Sequence, residues 1–573
     1  MNAPAPGPRS GGELLVAQLQ AYGVERVFMV PGESFLPCID ALYARRDAIE
    51  AVVCRQEGGA AYMAEAHGKL TGQPGICFVS RGPGATNAAI GVHTAREDST
   101  PMILFIGQVG GDTADRQCFQ EVDYRTMYAP LAKWVAQIER ADRIPEYLAR
   151  AWAIATSGRP GPVVLSLPED MLSSVADVAL AATPQPPCAR PADADMLRLR
   201  DLLEAAERPL LLLGGSRWPQ AAREAVRDFA LRFDLPVATA WRRLELFDND
   251  HPNFVGQVSA SMPPHQKRAV MDSDLVIALG TRLCEPTTIN YEWLASPTPR
   301  QTLIHIHPDA NEIGRLCTPA LGMVASVDGF AQAASGLAPT PGWQPRRRGA
   351  VAAAAAPALP PTPGPLDLNA AARHVAATLP RHSCVTVGAG NYALYAHRHI
   401  AFKGPGSQLA PAVGAMGYGL PAAIAAKLRD RDAAVVCFAG DGCFQMTMQE
   451  LATAAQYRLG IVVLVFNNGL FGTIRLHQER AYPGRALATE LVNPDFARLA
   501  HSYGGYGAAV ERTQDFAPAY DAALAYAREH RMPAIVELRY DADIILPDRT
   551  LSQLRRAETA AAPDLERLAA ASP

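Results

Sequence analysis

AAVVCFAGDG, residues 433–442, joins an apolar run to an aspartate that stands between two glycines. A second apolar run, residues 461–466, leads into Asn467 and Asn468, and 27 positions separate Asp441 from Asn468. Each run predicts a buried strand, and the spacing of residues 443–455 between them predicts a helix. Because parallel strands present their carboxyl ends at one edge of a sheet, we expect Asp441 and Asn468 to lie close together there.

This edge suits a divalent cation and a diphosphate. Gly442 lets the backbone approach a ligand closely, and the N–H groups at a helix start attract an anion. Mg²⁺ prefers a few protein oxygens in an octahedral shell that phosphate and water complete. Asp441, Asn468 and the main-chain oxygen of Leu470 supply such oxygens. Either motif alone is usually a turn, but the pair, after two strands with a helix between them, favours a metal site.

The composition argues against several classes of function. The chain has 573 residues, 49% of them hydrophobic, which is enough for about three or four domains. Its net charge of −4 carries no signature of nucleic-acid or anionic-membrane binding. The ten cysteines form no C-x-x-C pair, which favours reduced thiols in a cytoplasmic protein over disulfides or a zinc site. Residues 1–10 lack the apolar core of a signal peptide, and no apolar stretch is long enough to span a bilayer.

Two Pro/Ala-rich stretches, residues 179–192 and 339–365, predict linkers. We interpret the three arginines at 346–348 as a solvated run inside the second linker. Elsewhere short apolar strands alternate with amphipathic helices, which predicts parallel sheets flanked by helices. We therefore predict an α/β protein of three doubly wound parallel-sheet domains and a C-terminal tail, with these boundaries: 11–178, 193–338, 366–545 and 546–573.

Together with five further motifs, this pattern resembles the thiamine diphosphate enzymes of the branch that contains acetolactate synthase, pyruvate oxidase and benzoylformate decarboxylase. The resemblance covers nearly all of residues 11–550. The further motifs are residues 55–61, 82–87, 119–123, 158–164 and 414–421. The resemblance implies that the first domain binds the pyrimidine ring, the third binds the diphosphate, and the central domain has a nucleotide-binding fold.

The resemblance also implies which residues hold the cofactor. Glu57 matches the glutamate that hydrogen-bonds the pyrimidine and favours the imino tautomer that removes the thiazolium C2 proton. Read alone, Glu57 would be a glutamate at the start of a helix. Gly414 would accept a hydrogen bond from the pyrimidine amino group, and Met416 would force the cofactor into a bent shape. Diphosphate contacts are expected from Asn391, Tyr392, Gly440, Asp441, Gly442 and Cys443, although a cap or turn explains Asn391 equally well.

Substrate contacts and subunit partners follow from the same resemblance. Gln120 would donate to the carbonyl oxygen of an adduct, and Phe119 would form a wall of the pocket. Four more positions match substrate-facing ones, although an exposed lysine explains the third as well: Ser34, Ser80, Lys133 and His477. Because Glu57 and Asp441 lie in different domains, the resemblance implies a homodimer or a homotetramer in which two subunits share each cofactor.

The resemblance implies that the protein decarboxylates a 2-keto acid with thiamine diphosphate and Mg²⁺ and passes the enamine to a second carbonyl, as acetolactate synthase does. A simple decarboxylase or C–C lyase, a flavin-linked oxidase and an idle cofactor-binding homologue are the alternatives. FAD stays open, because residues 214–216 and 280–282 match flavin-contacting positions while residues 241–246 replace a glycine-rich segment. Pro286 and His477 replace the arginine and tryptophan with which biosynthetic synthases select 2-ketobutyrate as acceptor.

Overall fold

A computed structural model of the protein describes residues 7–345 and 359–561. The arginine run at 346–348 and the end of the predicted tail, residues 562–573, lie outside the described residues. Within those ranges the chain forms two compact units. The first contains residues up to 345 together with residues 402–413, and the second contains the remainder from residue 359.

The first sheet has six parallel strands in the order β3-β2-β4-β5-β7-β6. Its central strands are runs of apolar residues that are buried on both faces, as helix-covered parallel sheets require. The strands are β1 (Arg9–Ser10), β2 (Arg26–Met29), β3 (Glu50–Val53), β4 (Gly75–Val79), β5 (Met102–Gln108), β6 (Trp134–Gln137), β7 (Pro162–Pro168) and β8 (Val175–Ala176). The helices are α1 (Gly11–Ala21), α2 (Leu36–Tyr43), α3 (Glu57–Thr71), α4 (Gly82–Asp98), α5 (Tyr124–Tyr128), α6 (Ile144–Thr156) and α7 (Glu169–Ser173).

The second sheet also has six parallel strands, in the order β11-β10-β9-β12-β13-β14. This is the strand order of dinucleotide-binding folds, and the order reverses between β9 and β12. The strands are β9 (Pro209–Leu213), β10 (Val237–Thr239), β11 (Phe254–Gln257), β12 (Leu275–Leu279), β13 (Thr302–His307) and β14 (Leu321–Val324). The helices are α8 (Asp193–Ala205), α9 (Gln220–Arg232), α10 (Pro264–Met271) and α11 (Val327–Ser335).

In the third sheet the parallel strands β15, β17, β18, β20 and β19 stand side by side in that order. The strands of this part of the chain are β15 (Ser383–Val387), β16 (Gln408–Leu409), β17 (Ala434–Gly440), β18 (Ile461–Asn467), β19 (Tyr506–Val510), β20 (Ala534–Arg539), β21 (Ile544–Leu546) and β22 (Arg549–Thr550). The helices are α12 (Leu368–Thr378), α13 (Ala393–His399), α14 (Gly419–Arg429), α15 (Asp441–Gln445), α16 (Leu451–Gln456), α17 (Gly472–Ala481), α18 (Phe496–Ser502), α19 (Thr513–His530) and α20 (Leu551–Ala561).

These sheets confirm the predicted α/β class with three parallel sheets, but one predicted helix is wrong. Residues 443–455 do not form a single helix, because α15 ends at Gln445 and α16 begins only at Leu451. Thr447, between them, has φ −142° and donates its hydroxyl to the Gly417 carbonyl at 2.7 Å. The interruption thus ties the turn after α15 to the loop before α14.

Residues 402–413, which we call the strap, are held by side chains of the first unit. Asp98 accepts hydrogen bonds from the main-chain nitrogens of Ala412 and Val413, at 2.9 and 3.1 Å. Lys69 donates to the Ala410 carbonyl at 3.0 Å, and the Trp241 indole donates to the Ala412 carbonyl at 3.2 Å. The first unit is therefore built from segments that are far apart in sequence.

None of the described helices has the length and apolar character needed to cross a bilayer.

Candidate active site

A cavity of about 220 Å³ lies at the carboxyl ends of β17 and β18 in the second unit. Ten residues predicted from the sequence lie together in its lining: Gly414, Met416, Asn391, Tyr392, Gly440, Asp441, Gly442, Cys443, Asn468 and Leu470. The strands bring the two polar motifs to one sheet edge, since β17 pairs with β18 in parallel from Val435 and Ile461 onward. The structure thus unites residues that the sequence separates by tens of positions.

Asp441 is the charged centre of this cavity. Its side chain is buried, with only 3% of the residue exposed. Oδ1 accepts from the Gly442 nitrogen at 2.8 Å, and Oδ2 accepts from the Gly469 nitrogen at 2.9 Å and from Asn493 Nδ2 at 2.8 Å. Burial raises the pKa of this carboxyl, although the hydrogen bonds oppose the rise. Within the described ranges no cationic side chain pairs with it, so the site lacks a counter-charge of its own.

Asn493 is a site residue that the sequence reasoning missed. Its Nδ2 donates to Asp441 Oδ2 and to Asn467 Oδ1, both at 2.8 Å, and its Oδ1 accepts from Gln445 Nε2 at 2.8 Å. It therefore joins the ends of β17 and β18 from a loop after α17. The only local signal is the dipeptide Asn493-Pro494, which marks a turn and says nothing of its partner.

The loop after β18 offers oxygen ligands. Asn468 Oδ1 accepts from the Leu470 nitrogen at 3.2 Å, and Gly469 has φ +67°, a conformation that favours glycine. In the described part of the chain, no three His, Cys, Asp or Glu side chains cluster as metal ligands. A metal here would thus be held by one carboxylate with amide and carbonyl oxygens. That set of hard oxygens suits Mg²⁺ rather than Zn²⁺.

Asn391 supplies an unused donor to the same cavity. Its main-chain nitrogen donates to Thr473 Oγ1 at 3.1 Å, and its Oδ1 accepts from that hydroxyl at 3.0 Å. Its Nδ2 is buried and has no hydrogen-bond partner among the described residues. Buried donors are normally satisfied, so an anionic oxygen fits this position.

The glycines and Cys443 shape the cavity wall. A Cβ on Gly440 would lie 2.7 Å from the Tyr392 ring, and one on Gly442 would lie 2.5 Å from the Phe471 ring. Tyr392 donates its hydroxyl to Cys443 Sγ at 3.0 Å, and the Gly417 nitrogen donates to the same sulfur at 3.2 Å. These contacts bind the loops around the cavity into one cradle. Together with Asp441 and Asn391, the cradle fits thiamine diphosphate and Mg²⁺.

Glu57 lies in the first unit, as the first residue of α3. The N-cap of that helix is Gln56, whose side chain accepts from the Gly59 nitrogen at 3.0 Å. Glu57 Oε2 instead accepts from Asn87 Nδ2 on α4 at 2.9 Å. Asn87 belongs to a motif in the sequence, but its contact with Glu57 depends on how closely α3 and α4 pack. The carboxylate is thus oriented by a side chain and is not used as the helix cap.

The residues expected near substrate have diverse surroundings in the first unit. Phe119 is 73% exposed, whereas Gln120 has φ +63° and its carbonyl accepts from the Gly82 nitrogen at 3.0 Å. Ser34 is fully buried, with its hydroxyl 3.3 Å from that of Ser80. Ser34 and Ser80 therefore lie within hydrogen-bond distance of each other.

Lys133 and His477, the two other positions predicted to face substrate, have different surroundings. Lys133 is not an exposed lysine, because its Nζ donates to the carbonyls of Ile154 and Ser157 at the end of α6. Burial lowers its pKa to about 8. Lys133 thus stabilises a helix end.

His477 is exposed on α17, while Ile474 of the same helix lines the cavity.

Residues 241–246, which replace the glycine-rich segment of flavin-binding relatives, lie at the carboxyl edge of the second sheet. Arg243 donates to the Gly215 carbonyl and pairs with Glu245 at 2.6 Å. Trp241 points its indole nitrogen at the strap. Arg282, at the end of β12, forms an ion pair with Glu97 at 2.9 Å. These side chains engage the carboxyl edge of the second sheet with hydrogen bonds and ion pairs.

Three models of one protein family match the chain. The N-terminal thiamine pyrophosphate binding domain matches residues 9–127, the central domain matches residues 197–334, and the C-terminal thiamine pyrophosphate binding domain matches residues 388–538. The matches fall on the parts of the chain that form the three sheets.

Similar proteins include several acetolactate synthases. The acetolactate synthase large subunit of Parasynechococcus marenigrum is 32% identical over 538 residues, which cover 88% of this chain and 84% of that protein. The acetolactate synthase large subunit of Haemophilus influenzae is 31% identical, covering 87% of this chain and 89% of its own. The acetolactate synthase isozyme 2 large subunit of Escherichia coli is 29% identical, covering 90% and 93%.

We predict that Asp441→Ala weakens the binding of thiamine diphosphate in the presence of Mg²⁺ about 100-fold or more, because the variant lacks the only carboxylate among the described residues that line the cavity. Isothermal titration calorimetry measures the dissociation constant. Asp521→Ala is the matched control, since Asp521 is an exposed aspartate of the same unit that pairs with His374. Wild-type affinity in Asp441→Ala would rule out the metal assignment.

Proposed function

The chain belongs to the thiamine pyrophosphate enzymes, and on that premise we propose that it decarboxylates a 2-keto acid and joins the remaining acyl group to a second carbonyl compound. The observation that carries this proposal is the cavity that holds both the buried Asp441 carboxylate and the unused Asn391 donor. The acetolactate synthases that resemble the chain over most of their length support the joining step. Thiamine diphosphate supplies the group that stabilises the acyl carbanion left by loss of CO₂.

The residues of the second unit would hold the charged end of the cofactor. We propose that Mg²⁺ is bound by Asp441, Asn468 and the Leu470 carbonyl, and that Asn391 Nδ2 donates to a diphosphate oxygen. Asn493 keeps Asp441 oriented through the hydrogen bond at 2.8 Å. The metal would supply the counter-charge that the buried carboxylate lacks within the described residues.

Glu57 is proposed to control proton transfer at the pyrimidine ring. The Asn87 amide fixes the orientation of its carboxylate at 2.9 Å, so that the other oxygen remains for a ligand. Gly414 and Met416, which line the cavity of the second unit, would bind the pyrimidine from the other side. We propose a homodimer or homotetramer as the active form, in keeping with the family arrangement in which two subunits share a cofactor.

We propose no flavin step. Arg243, Trp241 and Arg282 engage the carboxyl edge of the second sheet with hydrogen bonds and an ion pair. This argues against the flavin-linked oxidase among the alternatives.

All ten cysteines are free thiols, which supports a reducing compartment such as the cytoplasm as the proposed location.

The acceptor carbonyl is proposed to differ from that of biosynthetic synthases. Pro286 lies in a 3₁₀ turn, and His477 is exposed. Two arginines near these positions could replace the synthase arginine, but each already forms an ion pair. Arg282 pairs with Glu97 at 2.9 Å, and Arg475 pairs with Glu479 at 3.1 Å. The site thus offers little to recognise the carboxylate of a second keto acid.

The proposed reaction predicts that purified protein releases CO₂ from at least one member of a panel of 2-keto acids, and only when thiamine diphosphate and Mg²⁺ are present. Product analysis then separates the alternatives, since a longer hydroxyketone supports joining and an aldehyde alone supports a simple decarboxylase. Asp521→Ala should behave as wild type. A panel with no CO₂ release would favour the idle homologue.

Glu57→Gln should retain thiamine diphosphate binding but slow deuterium exchange at the thiazolium C2 by at least about 100-fold, because an amide cannot pass a proton to the pyrimidine. Nuclear magnetic resonance of the quenched cofactor measures the exchange rate. Glu146→Gln, on the exposed face of α6, is the control. An unchanged rate of deuterium exchange in Glu57→Gln would mean that Glu57 has only a structural role.

In a competition between pyruvate and 2-ketobutyrate as acceptors, we expect no preference for the mixed acetohydroxybutyrate product. The reason is that neither Pro286 nor exposed His477 provides the contacts that select the larger acceptor. Chromatography of the products gives the ratio directly. A strong excess of acetohydroxybutyrate would contradict the prediction, whereas acetolactate alone or an aldehyde agrees with it.

A further inference from the structure

The first unit contains a second cavity, of about 260 Å³, that the proposed reaction does not use. It lies between the end of α3, the loop from β9 to α9, the turn after β10, and the strap. Trp218 and Leu246 give it apolar walls. Its polar lining contains Lys69, Arg217, Arg223, Arg243, Glu245 and Gln408. The lining includes the loops after β9 and β10 at the carboxyl edge of the second sheet, and residues 280–282 and 305–307 are not part of it.

The cavity carries more positive charge than its own carboxylate balances. Arg243 pairs with Glu245 at 2.6 Å, and Lys69 pairs with Glu65 at 3.1 Å and also with Asp98. The remaining two cations, Arg217 and Arg223, form no ion pair with any described residue.

Arg217 donates to the neutral Thr156 carbonyl at 2.9 Å, and no described carboxylate lies at ion-pair distance from it. Burial lowers the pKa of both Arg217 and Arg223, although Asp328 attracts the first and Glu245 the second from beyond ion-pair distance. The cavity thus presents two partly desolvated guanidinium groups. An anion would relieve this imbalance.

Two buried polar atoms in the lining also lack partners among the described residues. Glu245 is 6% exposed; its Oε1 accepts from Arg243 Nε, and its Oε2 has no partner. Gln408 is 3% exposed; its Oε1 accepts from the Leu244 nitrogen at 3.0 Å, and its Nε2 has no partner. Leaving a buried polar group unsatisfied costs about 1–3 kcal/mol. One position therefore needs a donor and the other an acceptor.

We propose that this cavity binds a small organic anion. Its carboxylate or phosphate oxygens would lie against Arg217, Arg223 and Gln408 Nε2, and its hydroxyl or amino group would donate to Glu245 Oε2. The volume of about 260 Å³ is that of roughly nine water molecules in the liquid, which suits a hydroxy acid or a sugar phosphate. Because Gln408 belongs to the strap, binding would also hold the strap in place. The proposal is independent of the proposed reaction.

Calorimetry on the full-length protein, loaded with thiamine diphosphate and Mg²⁺, tests the site with three probes: glycerol 3-phosphate, malate and inorganic phosphate. We expect one of the two organic anions to bind more tightly than inorganic phosphate. Arg223→Gln should weaken that binding about tenfold or more, because it removes one charged donor. Arg227→Gln is the matched control, since Arg227 is exposed on the same helix and pairs with Asp228.

Glu245→Gln separates the two halves of the proposal. This substitution should weaken the binding of the organic anion, which donates to Oε2, more than it weakens the binding of inorganic phosphate. If inorganic phosphate binds as tightly as both organic anions, the donor role of the ligand is wrong. If no probe binds below about 10 mM, or if Arg223→Gln leaves every affinity unchanged, the site itself is overturned.

Discussion

The carboxylate of Asp441 imposes the main constraint on this structure, because it is charged, buried and without a cationic side chain beside it among the described residues. An isolated buried charge is costly, and its desolvation is reflected in a raised pKa. Three N–H donors, from Gly442, Gly469 and Asn493, offset part of that cost. The ends of β17 and β18 and the loop that carries Asn493 are therefore arranged around one charge.

Much of this arrangement could be predicted because the informative signals are local. The apolar runs at 433–438 and 461–466 became β17 and β18 with small changes in their bounds, and the glycines beside Asp441 marked the point of close approach. The break between α15 and α16 could not be predicted from the helical spacing. At the break Thr447 donates a hydrogen bond to the Gly417 carbonyl, and only the fold brings these two segments together.

Some site residues could not be predicted for the same reason, which is that they contact segments distant in sequence. Asn87 and Asn493 act through hydrogen bonds across the fold, to Glu57 and Asp441, and nothing near them in sequence identifies those partners. For Lys133 the sequence offered a substrate-facing position or an exposed lysine, and neither indicated that two carbonyls at the end of α6 would accept from it. Polar residues that serve a distant partner are thus the part of a site that local patterns describe least well.

The strap imposes an order on folding during synthesis. The last helix of the first unit before the strap ends at Ser335 and the strap ends at Val413, 78 residues later (413 − 335), so at a synthesis rate of about 5–20 residues per second the first unit waits roughly 4 to 16 s for its last segment. During that interval both of its sheets have emerged from the ribosome while the surface beneath the strap, around Asp98 and Trp241, is still uncovered. A nascent chain of this protein therefore passes through an incomplete first unit, and a gene divided between residues 345 and 359 would place the strap on a separate polypeptide from the rest of that unit.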